Sequence, residues 1–293
     1  MEDKSIKKFT YGTLSLGKPI GDRNSDIRLI EMALDQEVFL HTSREFQEGR
    51  TFDVLSEVLK NYKNNPPGCI VRIRADNPQI LANDLHEAIH KLHLNQINIA
   101  QLYVQGPDKL SLIRDFEQQG PVWELCQDLL ENKLIGELAL EVFAYYSEVG
   151  VEAVNKDLFK NFVFYYNLIE RQANNEFFDL LEEKEDLSIL ALRPIGDTFA
   201  DPFITNLRDS NTFTHVVTYD QKYIQEVFEK SQCFSLLELS IRFLLSQKKV
   251  KTIIGGTSSI NHLDDYISLT DQFYPLEENI INEIKSLHRR WYK

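Results

Sequence analysis

The sequence predicts a (β/α)8 TIM barrel, and three observations predict it. Eight short apolar runs alternate with amphipathic segments along the whole chain, as strands joined through right-handed helical crossovers do. Eight such units within 293 residues suit a closed barrel, which commonly forms one unit at this length. The first strand-to-helix turn, GTLSLGKPIG at 12–21, lacks the G-x-G-x-x-G that an open dinucleotide-binding sheet carries there. No Pro/Gly/Ser linker, repeat or low-complexity tract divides the chain, so one domain over 1–293 is expected.

In order, the strands are read at 10–15, 38–41, 69–74, 99–104, 138–143, 162–165, 188–192 and 252–255. Each is a short apolar run of the kind that a strand covered on both faces requires. The helices are read at 26–35, 52–61, 80–92, 122–131, 147–159, 175–182 and 236–245, with a last pair at 262–269 and 277–291. There the apolar residues recur at three- and four-residue spacing. One stretch follows neither period: GDTFADPFITNLRDSNTFTHVVTYD, 196–220, after the seventh strand. Loops this long in compact domains are commonly functional, and loops after barrel strands build active sites. A lid over the barrel mouth and a passive surface excursion are both open readings.

With 32 basic and 45 acidic residues the net charge is -13. That charge opposes binding to polyanions, so neither nucleic acid nor an anionic membrane is expected as a partner. Cys69, Cys126 and Cys233 are odd in number and far apart, without CxxC spacing. They read as reduced thiols in a reducing compartment, not as a disulfide framework or zinc site. The start, MEDKSIKKFTYG, shows no apolar signal-peptide core, and apolar stretches such as FSLLELSIRFLL are charge-interrupted and short. A cytoplasmic protein is expected. In HEAIHKLH the spacing of His86, His90 and His93 suggests a metal face, but no further ligand pattern accompanies it. Solvated helix positions and no metal are the expectation. The aromatic runs at 142–148 and 162–167 read as barrel core and strand ends, not as a nucleotide platform.

The stretch VFLHTSREFQEGR (38–50) places His41 where an apolar run stops. A neighbouring cation such as Arg74 favours a neutral imidazole, but the sequence carries no HxH, HExxH or DxD at a strand end. A catalytic assignment needs a constellation. The preferred reading is therefore a hydrogen-bonded strand-end histidine; a rebuilt acid or base, helped by Glu45 and Gln105, is the alternative.

Six segments in order resemble the aldo/keto reductase family. They are GTLSLG (12–17), the region 30–60, INIAQLYVQGPD (97–108), FVFYYNLIERQ (162–172), ILALRPIG (189–196) and VKTIIGGTSSINHLDDY (250–266). The resemblance implies hydride transfer from NADPH to a carbonyl, with a Tyr as acid, a Lys to tune it, an Asp to hold the Lys and a His to orient the carbonyl. These positions fall on Phe46, Arg74, His41 and Gln105 respectively, with Arg72 assigned to the opposite side of its strand. A phenyl ring has no proton to give, and an arginine is a poor acid. The nicotinamide-gripping positions fall on Phe143, Ala144 and Val163, and the closing adenosine positions on Asp265 and Tyr266. A turn of Gly255, Gly256, Thr257, Ser258 and Ser259, with His262 beyond it, remains as the cofactor-phosphate candidate. The same turn also reads as a helix cap, with Ser259 or Asn261 as N-cap. The resemblance thus implies a catalytically degenerate barrel with an eroded NADP site, which binds a small-molecule ligand or a protein partner or serves as a scaffold. The alternatives are an active oxidoreductase or sugar-modifying enzyme in which Arg74 grips a carboxylate or phosphate, and a structural subunit of a larger complex.

Overall fold

The computed structural model describes residues 5–142, 146–168, 171, 173–195 and 214–291. Eight parallel strands close into a barrel: β1 (Phe9–Gly12), β2 (Phe39–Ser43), β3 (Cys69–Arg74), β4 (Ile97–Tyr103), β5 (Ile135–Glu141), β6 (Asn161–Tyr165), β7 (Ser188–Leu192) and β8 (Val250–Gly255). Closure is made by β1, which pairs Tyr11 with Leu40 of β2 on one side and with Gly255 of β8 on the other. Outside lie α1 (Arg23–Asp35), α2 (Arg50–Leu59), α3 (Pro78–Lys91), α4 (Ser111–Glu117), α5 (Pro121–Glu131), α6 (Ser147–Asn155), α7 (Asn175–Glu183), α8 (Thr214–Ser231), α9 (Leu236–Leu245), α10 (Ile260–Asp271) and α11 (Glu278–Trp291).

All eight expected strands are present; β3 and β7 have the expected bounds and the other six have shifted ends. Residues 13–15 form a 3-10 turn and do not extend β1. Two helices were absent from the sequence reading, α4 and α8. The second replaces the end of the expected long loop, since residues 214–220 are helical; residues 196–213 lie outside the described residues.

Helix starts follow side-chain chemistry. Asp22, Asn77, Asn174, Ser235 and Ser259 each accept a first-turn backbone N–H, and Pro78 and Pro121 stand where no intrahelical N–H bond is lost. Helix ends are less conventional. Glu37, His93, Gln119, Lys133 and Asp157 follow α1, α3, α4, α5 and α6 with φ between 50° and 56°. In each case the next residue's N–H returns to the last turn, as Val38 does to Ala33 (2.8 Å) and Leu158 to Ala153 (3.0 Å). This is the Schellman closure, made here without glycine. It stops α6 at Asn155, four residues short of the end expected from periodicity.

The core has two layers. Buried side chains between strands and helices form the large outer one. Inside the barrel, Ile70, Ile99, Ala139, Val163, Leu190 and Ile254 make an apolar floor. No helix of the described residues is long and apolar enough to cross a membrane.

Candidate functional site

Because side chains alternate along a strand, the residues two places beyond Ile70, Ile99 and Ala139 share their inward face. These are Arg72, Gln101 and Glu141, and each is polar. His41 joins them from β2, 5% exposed. A continuous hydrogen-bonded chain results. His41 Nε2 lies 2.9 Å from Gln101 Oε1, and Gln101 Nε2 donates to Glu141 Oε2 at 2.6 Å. Arg72 binds the same carboxylate through Nε (2.6 Å) and Nη2 (3.0 Å), and its Nη1 reaches Glu45 Oε2 at 2.7 Å. The Tyr103 hydroxyl also donates to Glu45. The Arg72 guanidinium carbon sits 3.4 Å from the centre of the Tyr103 ring, a stacked cation–π contact.

This chain fixes protonation states. A carboxylate only accepts, so the Gln101 amide must turn its NH2 toward Glu141 and its oxygen toward His41. His41 therefore carries its hydrogen on Nε2. Burial pushes the imidazole pKa down to about 4, against the favourable Gln101 bond and with help from the Arg72 charge. The ring is neutral at physiological pH. Tyr103 is shifted the opposite way: burial and the bond to Glu45 hold its hydroxyl protonated well above the usual tyrosine range.

The sequence candidates separate into two groups. His41 belongs to the network, and Phe46 stands beside it with ring centres 5.8 Å apart, edge to face. Gln105 lies at the rim, exposed, with Nε2 3.4 Å from Glu45 Oε1. Arg74 is elsewhere in function. Its guanidinium binds Asp84 of α3 in fork geometry (2.8 and 2.7 Å), and Arg44 binds the same carboxylate at 2.7 Å. Burial alone would raise the Asp84 pKa, but these two arginines outweigh it and hold it below the usual range. An arginine so committed is not poised to grip a substrate anion.

The placement of Arg72 on the other side of the strand from Arg74 is corrected here. Residues two apart on a strand share a face, and Arg72 is the cation inside the barrel. Sequence reasoning missed Arg72, Gln101, Tyr103 and Glu141 as a group. Their signal was present: strands buried on both faces are otherwise apolar, so polar residues at alternate positions of β3 and β4 and at the end of β5 mark the mouth.

Above the chain, a cavity of about 220 Å³ opens between β4, β5 and the loops that follow them. Glu45, Arg72, Tyr103, Gln105, Lys109 and Tyr146 supply its polar wall, and Leu112, Leu140 and Val149 its apolar side.

The turn after β8 is tightly pinned. A Cβ on Gly256 would stand 2.8 Å from the Gly12 carbonyl oxygen, and one on Gly255 would stand 3.0 Å from the Tyr266 ring. The Thr257 carbonyl accepts from the Tyr11 hydroxyl (2.8 Å) and from Ser15 Oγ (3.1 Å). Thr257 Oγ1 accepts the Ser259 N–H, and Ser259 Oγ the His262 N–H (3.4 Å). Ser259 is thus the N-cap of α10, and Ser258 and His262 are exposed. Two amides that could face a phosphate are already occupied by side-chain oxygens. Val163 belongs to the apolar floor and offers no amide to a nicotinamide, while Phe143 and Ala144 lie outside the described residues. Among the described residues, no group of three or more His, Cys, Asp or Glu side chains could hold a metal ion.

Comparison with known proteins agrees with the fold. The model of the aldo/keto reductase family matches residues 9–289. An uncharacterised oxidoreductase of Bacillus subtilis, YqkF, is 22% identical over 303 residues, covering 95% of this chain and 92% of that protein. Among solved structures, the holo form of aldo-keto reductase AKR11C1 from Bacillus halodurans superposes with a TM-score of 0.73 at 16% identity, covering 96% of this chain and 91% of that one. An aldo-keto reductase from Klebsiella pneumoniae in complex with NADPH gives 0.70 at 12% identity, covering 97% and 92%. The barrel, its order of strands and a family match across nearly its full length together show that the chain belongs to the aldo/keto reductase family.

Proposed function

We propose that this chain uses the reductase barrel as a small-molecule binding protein and does not run the tyrosine-dependent reduction that the resemblance implies. One observation carries the reading: the polar side chains of the inner network are bonded to one another. Phe46 stands beside His41 and offers no proton. Glu45 and Glu141 hold Arg72, and Asp84 holds Arg74. His41 is buried and neutral, and its Nε2 proton is given to Gln101. His41, Gln101, Arg72 and Glu141 thus have partners before any substrate arrives, whereas electrostatic catalysis requires dipoles aimed at charge that has yet to form. The cavity beside them supports binding.

NADPH or NADH, when bound to such a barrel, supplies a hydride. The partial fit of the turn after β8 and the apolar Val163 argue against tight retention of either. Titration of the protein with each, followed by nicotinamide fluorescence, and assay against a panel of aldehydes test the proposal. Neither saturable binding nor turnover is expected. Turnover that disappears in His41→Ala would sink it.

A second reading is favoured by Tyr103, whose hydroxyl lines the cavity beside a cation. It is an oxidoreductase in which Tyr103 supplies the proton. The bond to Glu45 works against it, because that bond occupies the one transferable hydrogen. Carbonyl reduction lost in Tyr103→Phe and kept in His41→Ala would select this second reading.

A further inference from the structure

Charge is unevenly distributed around the cavity. At its inner end Glu45 and Glu141 share one cation, Arg72, so that this cluster carries a net charge of about -1. Glu45 Oε2 receives Arg72 and Tyr103, but Oε1 receives only the long 3.4 Å contact from Gln105. Glu45 lines the cavity, and this oxygen has room for a further donor. At the outer end, Lys109 Nζ donates to the backbone carbonyls of Val104 (2.7 Å) and Gln105 (3.1 Å) and lies 5.5 Å from the Tyr146 ring centre. Among the described residues no carboxylate pairs with it, and an ammonium has three hydrogens to give. One N–H and a full positive charge therefore remain for a ligand.

The two ends are linked by a single residue. Gln105 holds Lys109 through its backbone carbonyl and reaches Glu45 through its side-chain amide. The wall also has an apolar part: Leu112, Leu140 and Val149. A lone anion would meet Glu45, and a lone cation would meet Lys109. Only a molecule with both charges, separated by the reach of one glutamine and carrying a short aliphatic body, satisfies both ends. The volume, about 220 Å³, lies below the roughly 300–1,000 Å³ of pockets for drug-sized ligands.

We infer that this cavity binds a small aliphatic amino acid as its zwitterion, the ammonium on Glu45 and the carboxylate on Lys109. The inference rests on reading the barrel mouth as a binding site. Calorimetric titration with leucine and with 4-aminobutanoate is the test. The comparison ligands are 4-methylpentanoate and butanoate, which lack the ammonium, and 3-methylbutylamine and butylamine, which lack the carboxylate. At least one amino acid is expected to bind about tenfold or more tightly than its two single-charge analogues. Lys109→Met is expected to lose that preference. It carries the test because its ammonium touches only carbonyls and a ring, whereas Glu45→Gln also removes a partner of Arg72. Single-charge analogues that bind as tightly, no saturable heat from either amino acid at millimolar concentration, or an unchanged preference in Lys109→Met would overturn the inference. Carbonyl turnover with NADPH would instead remove the non-catalytic reading and leave the titration result intact.

Discussion

Removing the Glu141 carboxylate would leave the Arg72 guanidinium inside the barrel with Glu45 as its remaining counter-charge. The Glu141 side chain is 2% exposed and that of Arg72 19%. Breaking one member of a buried pair commonly costs about 3–5 kcal/mol, while replacing both with apolar groups can be nearly neutral. Glu141→Ala should therefore lower the urea midpoint strongly, and the double variant Arg72→Met, Glu141→Leu should be less destabilised than Glu141→Ala alone. A second expectation concerns pH. The His41 pKa is about 4 in the fold and about 6.5 in the unfolded chain. Between those values the unfolded chain binds a proton that the folded one excludes, so stability falls as pH drops from about 6.5 to about 4. His288, held near 3 by burial, contributes in the same direction. Denaturation midpoints measured across this range should decline less steeply in His41→Gln than in the parent chain. At this scale the sequence pointed to His41, Phe46 and Gln105, which the barrel brings to one mouth. It could not show that Glu141, far away in the chain, closes onto Arg72, because that contact depends on barrel curvature bringing β3, β4 and β5 around one axis.

Between elements, the Asp84 carboxylate joins three pieces: Arg44 after β2, Arg74 at the end of β3, and its own helix α3. Asp84→Asn retains the volume and removes the charge. It is expected to cost about 2–3 kcal/mol, read as a lowered thermal midpoint, and to loosen the loop that carries Glu45. The helix ends give the opposite kind of expectation. A left-handed conformation is unfavourable for any residue with a Cβ, by about 1–2 kcal/mol. Asp157 adopts it at φ 55° after α6, so Asp157→Gly should raise stability by a few tenths to about 1 kcal/mol. The same feature explains a misread boundary. Helix ends are legible in a sequence chiefly through glycine, and none marks the end of α6. Starts were no easier to read: α1 begins at Arg23 and α3 at Pro78, ahead of the expected 26 and 80, because their caps Asp22 and Asn77 precede the first apolar repeat.

Over the whole molecule, the strand-helix alternation was legible because every strand of a parallel barrel is a short apolar run. The helices α4 and α8 were missed although each buries apolar residues, Leu112, Ile113 and Phe116 in the first and Ile224 and Val227 in the second, because α4 has only seven residues and α8 continues the stretch read as a loop. A net charge of -13 makes the chain repel itself at low ionic strength. Adding salt to about 0.15 M shortens the screening length to about 8 Å. The thermal midpoint at neutral pH should therefore rise as sodium chloride is added, and a fall would mean that the surface ion pairs outweigh the general repulsion.

The position of His41 has a spectroscopic consequence. Its Nε2 hydrogen is trapped between a ring and an amide oxygen, 5% exposed, on an imidazole that stays neutral through physiological pH. Such a hydrogen exchanges slowly with water. It should give a proton resonance far downfield that hardly moves between about pH 6 and pH 8, in contrast to an ordinary histidine. That single line would report, without any label, whether the mouth of the barrel is open or closed to solvent.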